Sequence, residues 1–95
     1  MDFQEVEKLS RFYKVLGEKN RLGILSLLEK EEMCVHQLMC RLNVSQSLVS
    51  HQLKILRDEN IVITRRRGNE VVYSLADKHI AVLLRIAREH INEDK

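Results

Sequence analysis

Ninety-five residues, 44% of them apolar, make one domain (residues 1–95) with a small core. Sixteen basic and 14 acidic residues leave a formal net charge of +2, so bulk charge does not mark a nucleic-acid binder and only its distribution can. No apolar run approaches the ~20 residues a membrane span needs, and the acidic, mixed opening MDFQEVEKL is not an export signal; two cysteines without such a signal predict free thiols in a reducing cytoplasm.

In chain order, Val6, Leu9, Tyr13 and Leu16 recur at helical spacing with Phe12 beside them, which predicts an amphipathic first helix stopped by Gly17. A second helix is expected over 18–28, with Leu22, Leu25 and Leu28 inward. The charged run at 29–32 reads as a connector. A short third helix is expected over 35–42, with Val35, Leu38, Met39 and Leu42 as its apolar set, and a tight turn at 42–44 follows it.

The stretch 44–58, VSQSLVSHQLKILRD, carries the clearest signal. Ser45 is an N-cap candidate, because its hydroxyl can accept from an amide one turn in. Val44 and Val49 flank it as a hydrophobic staple. Val49, Leu53 and Leu56 form one buried stripe. The opposite face holds Gln46, Ser47, Ser50, His51, Lys54 and Arg57, with no carboxylate among them. Such side chains donate to base edges and phosphates, and a helix with this face suits the DNA major groove. A solvated helix face is the plainer reading of the same residues. A short helix, a tight turn and a second helix make a helix-turn-helix unit.

Beyond Asn60 the pattern changes to strand. The residues at 61–64 and 71–73 are rich in β-branched and aromatic side chains, and Gly68-Asn69 between them signals a hairpin. Arg65, Arg66 and Arg67 then stand beside the hairpin tip with no acid among them, as a wing that can lie against phosphates. The last helix, expected over 78–93, has Ile80, Leu83, Leu84, Ala87 and Ile91 as its stripe. The first and last helices are long for so small a fold, so their stripes are expected to bury against a second copy. The fold class is mainly α with a β-hairpin wing: a winged helix-turn-helix that dimerises through its first and last helices.

Several of these segments together resemble a known family. Glu32-Met33-Cys34-Val35, the block from Asn43 through Val44, Ser45, Gln46, Ser47, Leu48, Val49, Ser50, His51, Gln52 and Leu53 to Lys54, the Arg-Gly-Asn wing and Val72-Tyr73-Ser74-Leu75 look like the ArsR/SmtB metal-sensing repressors. The match spans nearly the whole chain, and its S-x-x-V-S-H-Q-L block is specific. The resemblance implies a homodimeric repressor on double-stranded operator DNA, an inverted repeat, that lets go when metal binds and so controls a metal efflux or resistance gene. It also implies groove-reading roles for Gln46, Ser47, Ser50 and His51.

The metal-capable residues at the end of the chain are Asp77, His79, His90 and Glu93. At ~100° per residue, His79 and His90 differ by about 20° around the helix axis and Glu93 lies about 60° from His90, so they share a face. Eleven residues at ~1.5 Å each nevertheless separate the two histidines by roughly 16 Å, whereas zinc bonds its nitrogen and oxygen ligands at about 2 Å. One chain cannot gather all four ligands. Two antiparallel copies can, with Asp77 and His79 of one chain facing His90 and Glu93 of the other. Two histidines and two carboxylates favour Zn2+, with Co2+ or Ni2+ as alternatives, over thiophilic ions. D-x-H followed by H-x-x-E at this spacing looks like the family's C-terminal-helix zinc site.

Cys34 and His36 fall where the family's thiolate sensors carry Cys-x-Cys, which makes a thiol or soft-metal response through Cys34 the runner-up. Cys40 lies about 240° round the helix from Cys34 and is expected to be a small buried hydrophobe. A winged-helix protein-interaction module is a further alternative, opposed by the acid-free helix face and the arginines. An enzyme is not expected: there is no Gly-rich phosphate loop, no nucleophile–base pair, and a four-ligand zinc has no open position for substrate.

Overall fold

A computed structural model of the chain describes residues 1–93. These run in the order α1 (Phe3–Leu16), α2 (Lys19–Leu28), β1 (Met33–Cys34), α3 (Val35–Leu42), α4 (Gln46–Asp58), β2 (Val62–Arg67), β3 (Glu70–Leu75) and α5 (Lys78–Asn92). The helix starts follow from local chemistry, because the first amides of a helix have no partner inside it. Asp2 accepts from the Glu5 amide at 2.8 Å, Glu18 from Arg21 at 3.0 Å, Ser45 from Leu48 at 3.1 Å and Asp77 from His79 at 2.9 Å. Gly17 ends α1 as expected, but in right-handed helical geometry rather than a left-handed cap, and Glu18 restarts the chain as α2 at once.

The helix-turn-helix forms as the sequence predicts. Asn43 takes φ +57°, a left-handed conformation that asparagine tolerates, and its amide donates to the Met39 carbonyl at 2.7 Å. Val49, Leu53 and Leu56 of α4 are buried beside Leu38 of α3 and Ile24, Leu25 and Leu28 of α2 in one apolar cluster. Leu22 departs from expectation: it is exposed, and Ile24 takes the inward position. Gly23 explains the phase. A Cβ there would meet Leu42 Cδ2 at 3.2 Å, so the close approach of α2 to the end of α3 is made on that side of the helix.

The charged run at 29–32 is more than a connector. It leads into the two-residue strand β1, which sequence reading misses. β1 pairs antiparallel with β3 (Met33 opposite Tyr73, Cys34 opposite Val72), and β3 pairs with β2, giving the sheet order β1-β3-β2. The hairpin strands are longer than predicted at both sides of the turn, so Arg65, Arg66 and Arg67 lie within β2 rather than beyond it. Gly68 supplies the turn with φ +63°, a conformation that glycine adopts without the steric cost of a Cβ.

The terminal helices bury little within one chain. Leu16 is the one buried residue of α1, while Phe3, Val6, Leu9 and Tyr13 are exposed. In α5, Ile80 and Leu84 are buried, Leu83 is half-buried, and Val82, Ile86, Ala87 and Ile91 face outward. The α4 stripe therefore carries the single-chain core. Leu53→Ala is expected to cost about 2–5 kcal/mol, the usual range for truncating a fully buried leucine, read by chemical denaturation; a loss under ~1 kcal/mol would place the core elsewhere.

Candidate nucleic-acid interface and metal-ligand pairs

Burial of Val49, Leu53 and Leu56 turns the other side of α4 to solvent. Gln46, Ser47, Ser50, His51 and Lys54 are all exposed there. The first turn holds no acid, so nothing offsets the partial positive charge of the helix N-terminus. Lys54 is not a lone cation, since its Nζ lies 3.1 Å from Asp58 Oδ2. One flank of α4 is held by a residue that pattern reading passes over. Arg21 Nε donates to the Val15 carbonyl and its Nη1 to Gln52 Oε1, both at 2.7 Å. With a side chain 14% exposed, Arg21 ties the end of α1 and the start of α2 to α4. Thirty-one residues separate Arg21 from Gln52, and no local pattern signals the contact.

The wing corrects the charge count made from sequence. Strand alternation puts Arg65 and Arg67 on one face and Arg66 on the other. Arg65 grips Glu32 with two donors, its Nε at 2.8 Å from Oε1 and its Nη2 on Oε2. Arg67 donates to Glu70 at 3.1 Å and lies 4.0 Å from Glu32. These hydrogen bonds, from Arg65 to Glu32 and from Arg67 to Glu70, hold both carboxyls below their ordinary range. The three arginines are acid-free in sequence but not in space.

The four metal-capable residues separate into two pairs. At the start of α5, His79 Nδ1 lies 3.4 Å from Asp77 Oδ1, the oxygen that also caps the helix. At its end, His90 Nδ1 lies 3.8 Å from Glu93 Oε1. All four side chains are more than half exposed. Among the described residues, no three His, Cys, Asp or Glu side chains of one chain converge on a point. Each pair offers one imidazole nitrogen and one carboxylate, half of a tetrahedral nitrogen/oxygen shell of the kind zinc accepts.

Residues 18–64 match the family described as bacterial regulatory protein, arsR family. Over 93 residues the chain is 40% identical to a transcriptional repressor SmtB homolog of Synechocystis sp., covering 98% of this chain and 70% of that protein. The chain belongs to the ArsR family. It is also 41% identical over 69 residues to the arsenical resistance operon repressor of Staphylococcus xylosus, covering 73% of this chain and 66% of that one. Its fold superposes on the crystal structure of Rv0081 from Mycobacterium tuberculosis with a TM-score of 0.86, at 34% identity and over 96% of this chain and 91% of that one. These likenesses make this ArsR-family chain a winged-helix transcriptional regulator and not an enzyme.

One of the two thiols of this ArsR-family chain, Cys40, departs from the burial expected of it. Cys34 is buried on the β1 strand, and Cys40 is exposed. Cys40 lies two residues past the inward Leu38, roughly 200° round α3, which turns it outward. Its Sγ stands 3.6 Å from His36 Nε2. Cys34 is thus not an accessible thiol, which weakens a sensor built on it. In the folded protein, an aromatic disulfide reagent is expected to modify one thiol per chain rapidly, and Cys40→Ser should abolish that phase. Two fast thiols, or a fast phase surviving in Cys40→Ser, would contradict the burial of Cys34.

Proposed function

We propose that this chain is a cytoplasmic, homodimeric transcriptional repressor that binds double-stranded operator DNA and releases it on binding zinc, with cobalt or nickel compatible with the same ligands. The observation that carries the metal reading is the division of Asp77, His79, His90 and Glu93 into two half-shells at opposite ends of α5. Antiparallel α5 helices of two protomers bring unlike halves together, giving two equivalent sites per dimer. The exposed apolar stripes of α1 and α5 support that pairing, since large exposed apolar patches mark interaction surfaces. The likeness to an arsenical resistance operon repressor supports a metal- or metalloid-responsive role in resistance or efflux.

In the proposed complex the N-terminal half of α4 enters the major groove, Gln46, Ser47, Ser50 and His51 reach base edges, Lys54 approaches the backbone, and the wing arginines approach phosphates. A two-fold dimer reads an inverted repeat. Metal, when bound, supplies a positive charge that fixes the two α5 helices in one relative geometry. If that geometry fits DNA poorly, DNA weakens metal by the same factor that metal weakens DNA.

Groove reading is tested by substitution. Gln46→Ala and His51→Ala are each expected to cost operator binding on the order of 1–3 kcal/mol while leaving random-sequence binding and metal affinity nearly intact. Full operator preference in both variants would remove α4 from the groove.

The shared site is tested by mixing. One variant lacks Asp77 and His79, and another lacks His90 and Glu93. Each homodimer is expected to bind zinc poorly and to stay on DNA when zinc is added. In the mixed dimer, intact Asp77 and His79 of one chain face intact His90 and Glu93 of the other, and one tight zinc site per dimer is expected to return. If mixing restores nothing, the interchain site is wrong.

A further inference from the structure

We infer that Glu32 and Glu70 limit the wing's grip on DNA phosphates, because they hold Arg65 and Arg67 and leave Arg66 as the wing arginine available to the backbone. The inference rests on the reading that the wing approaches DNA, and it assigns a role to two acids that reading does not use. Among the described residues, Arg66 forms no ion pair, and β-alternation turns it away from the face that Arg65 and Arg67 share. Three arginines less two carboxylates leave the wing one net positive charge.

The Arg65–Glu32 contact is not an ordinary surface ion pair. It is bidentate, a geometry that fixes both partners. The Glu32 side chain is 29% exposed, so releasing Arg65 to a phosphate leaves a mostly covered carboxylate with only Arg67, 4.0 Å away, beside it. Arg65 also lies opposite Val72, which is buried although outside the main apolar cluster and is flanked on its other side by buried Cys34. Arg67 stands between two acids, Glu70 at 3.1 Å and Glu32 at 4.0 Å. Both carboxylates, facing a polyanion, add repulsion to whatever the arginines add in attraction. Removing a carboxylate should therefore strengthen binding, the reverse of what loss of an acid–base contact usually does to a protein surface.

The test is fluorescence anisotropy of the full chain on a labelled random-sequence duplex between 50 and 200 mM salt, where phosphate contacts set the slope of log affinity against log salt. Glu32→Gln and Glu70→Gln are each expected to bind tighter at 50 mM and to steepen the slope by about 0.9 per arginine released. Arg66→Ala is expected to flatten the slope by about as much. Adding Arg65→Ala to Glu32→Gln should return the slope to that of the unsubstituted protein. If Arg66→Ala leaves the slope unchanged, the wing does not meet phosphate, and the underlying reading falls together with this inference. If Arg66→Ala flattens the slope but both glutamine variants bind equally or more weakly, the wing reading stands and the restraint by Glu32 and Glu70 is refuted. Thermal melts accompany the titrations; should Glu32→Gln not fold, Glu70→Gln, on the exposed hairpin, decides alone.

Discussion

The burial of three side chains on one helix sets the rest of the molecule. Val49, Leu53 and Leu56 are essentially without solvent contact, and each helical residue is turned ~100° from the last. Once those three face α2 and α3, no freedom remains in the direction of Gln46, Ser47, Ser50 or His51. A rotation of α4 by one residue would bring Lys54 into an apolar cluster, at the cost of burying a charge without a partner. Polar chemistry confirms the angle that packing sets. Gln52 stands at the edge of the stripe, and Arg21 reaches it from α2 while also holding the last turn of α1. Side chains offered to solvent on α4 are thus presented on a rigid element, which is what recognition of a groove requires.

The terminal helices obey the opposite rule. Single-chain packing gives α1 one buried anchor, Leu16, and gives α5 two, Ile80 and Leu84. Phe12, Val15 and Leu83 pack partly against the core, but Phe3, Val6, Leu9, Tyr13, Val82, Ile86 and Ile91 face water at a loss of roughly 25 cal/mol per Å² of apolar area left uncovered. Among the described residues, no other element covers them. The proposed dimer answers that deficit and the split ligand set with one arrangement, since the same antiparallel pairing of α5 that covers Val82 and Ile86 brings unlike ligand pairs to each end.

Whatever depended on near neighbours in sequence was legible before the structure. The Ser45 cap, the Asn43 turn, the α4 stripe and the glycine hairpin all arise from residues within a few positions of one another. Residue periodicity also placed α3 at its observed bounds. Most of what failed depended on distance along the chain. β1 is two residues long, too short for any period, and exists because β3 offers it a free edge. Leu22 and Ile24 exchanged places because the phase of α2 is set by contact with Leu42, nineteen positions beyond Gly23. Cys40 was expected inside on composition alone, although two residues from Leu38 it could only face out. Of the candidate site, sequence supplied the residue types; His79 stands by Asp77 because Asp77 caps the helix start, and His90 by Glu93 because they lie three positions apart, but the pairing of Arg65 with Glu32 crosses 33 positions and has no local signature.

That pairing belongs to a wider pattern in the acidic run at 29–32. Arg88 of α5 donates to both oxygens of Glu29 at 2.8 and 3.1 Å, and Arg65 of the wing grips Glu32. One short segment thereby holds the last helix with one acid and the hairpin with another. Hydrogen bonds from these arginines hold both carboxyls below the ordinary 4.5. A carboxyl depressed in the folded state stabilises it fully above its unfolded value, and that contribution fades only as pH falls through the lowered folded value. The two ties are therefore intact at neutral pH and dissolve only in acid, below the ordinary carboxyl range. Near neutrality, proton uptake by these acids cannot loosen α5 or free the wing. Ionic strength can in part, because the arginine of each pair is more than half exposed, although the covered acids make these contacts less sensitive to salt than open ion pairs. The proposed wing contact with DNA and the integrity of the α5 attachment thus share one control variable, salt: raising it weakens the counterion-release gain on DNA, while loosening the Glu32 pair frees Arg65 and offsets part of that fall in affinity.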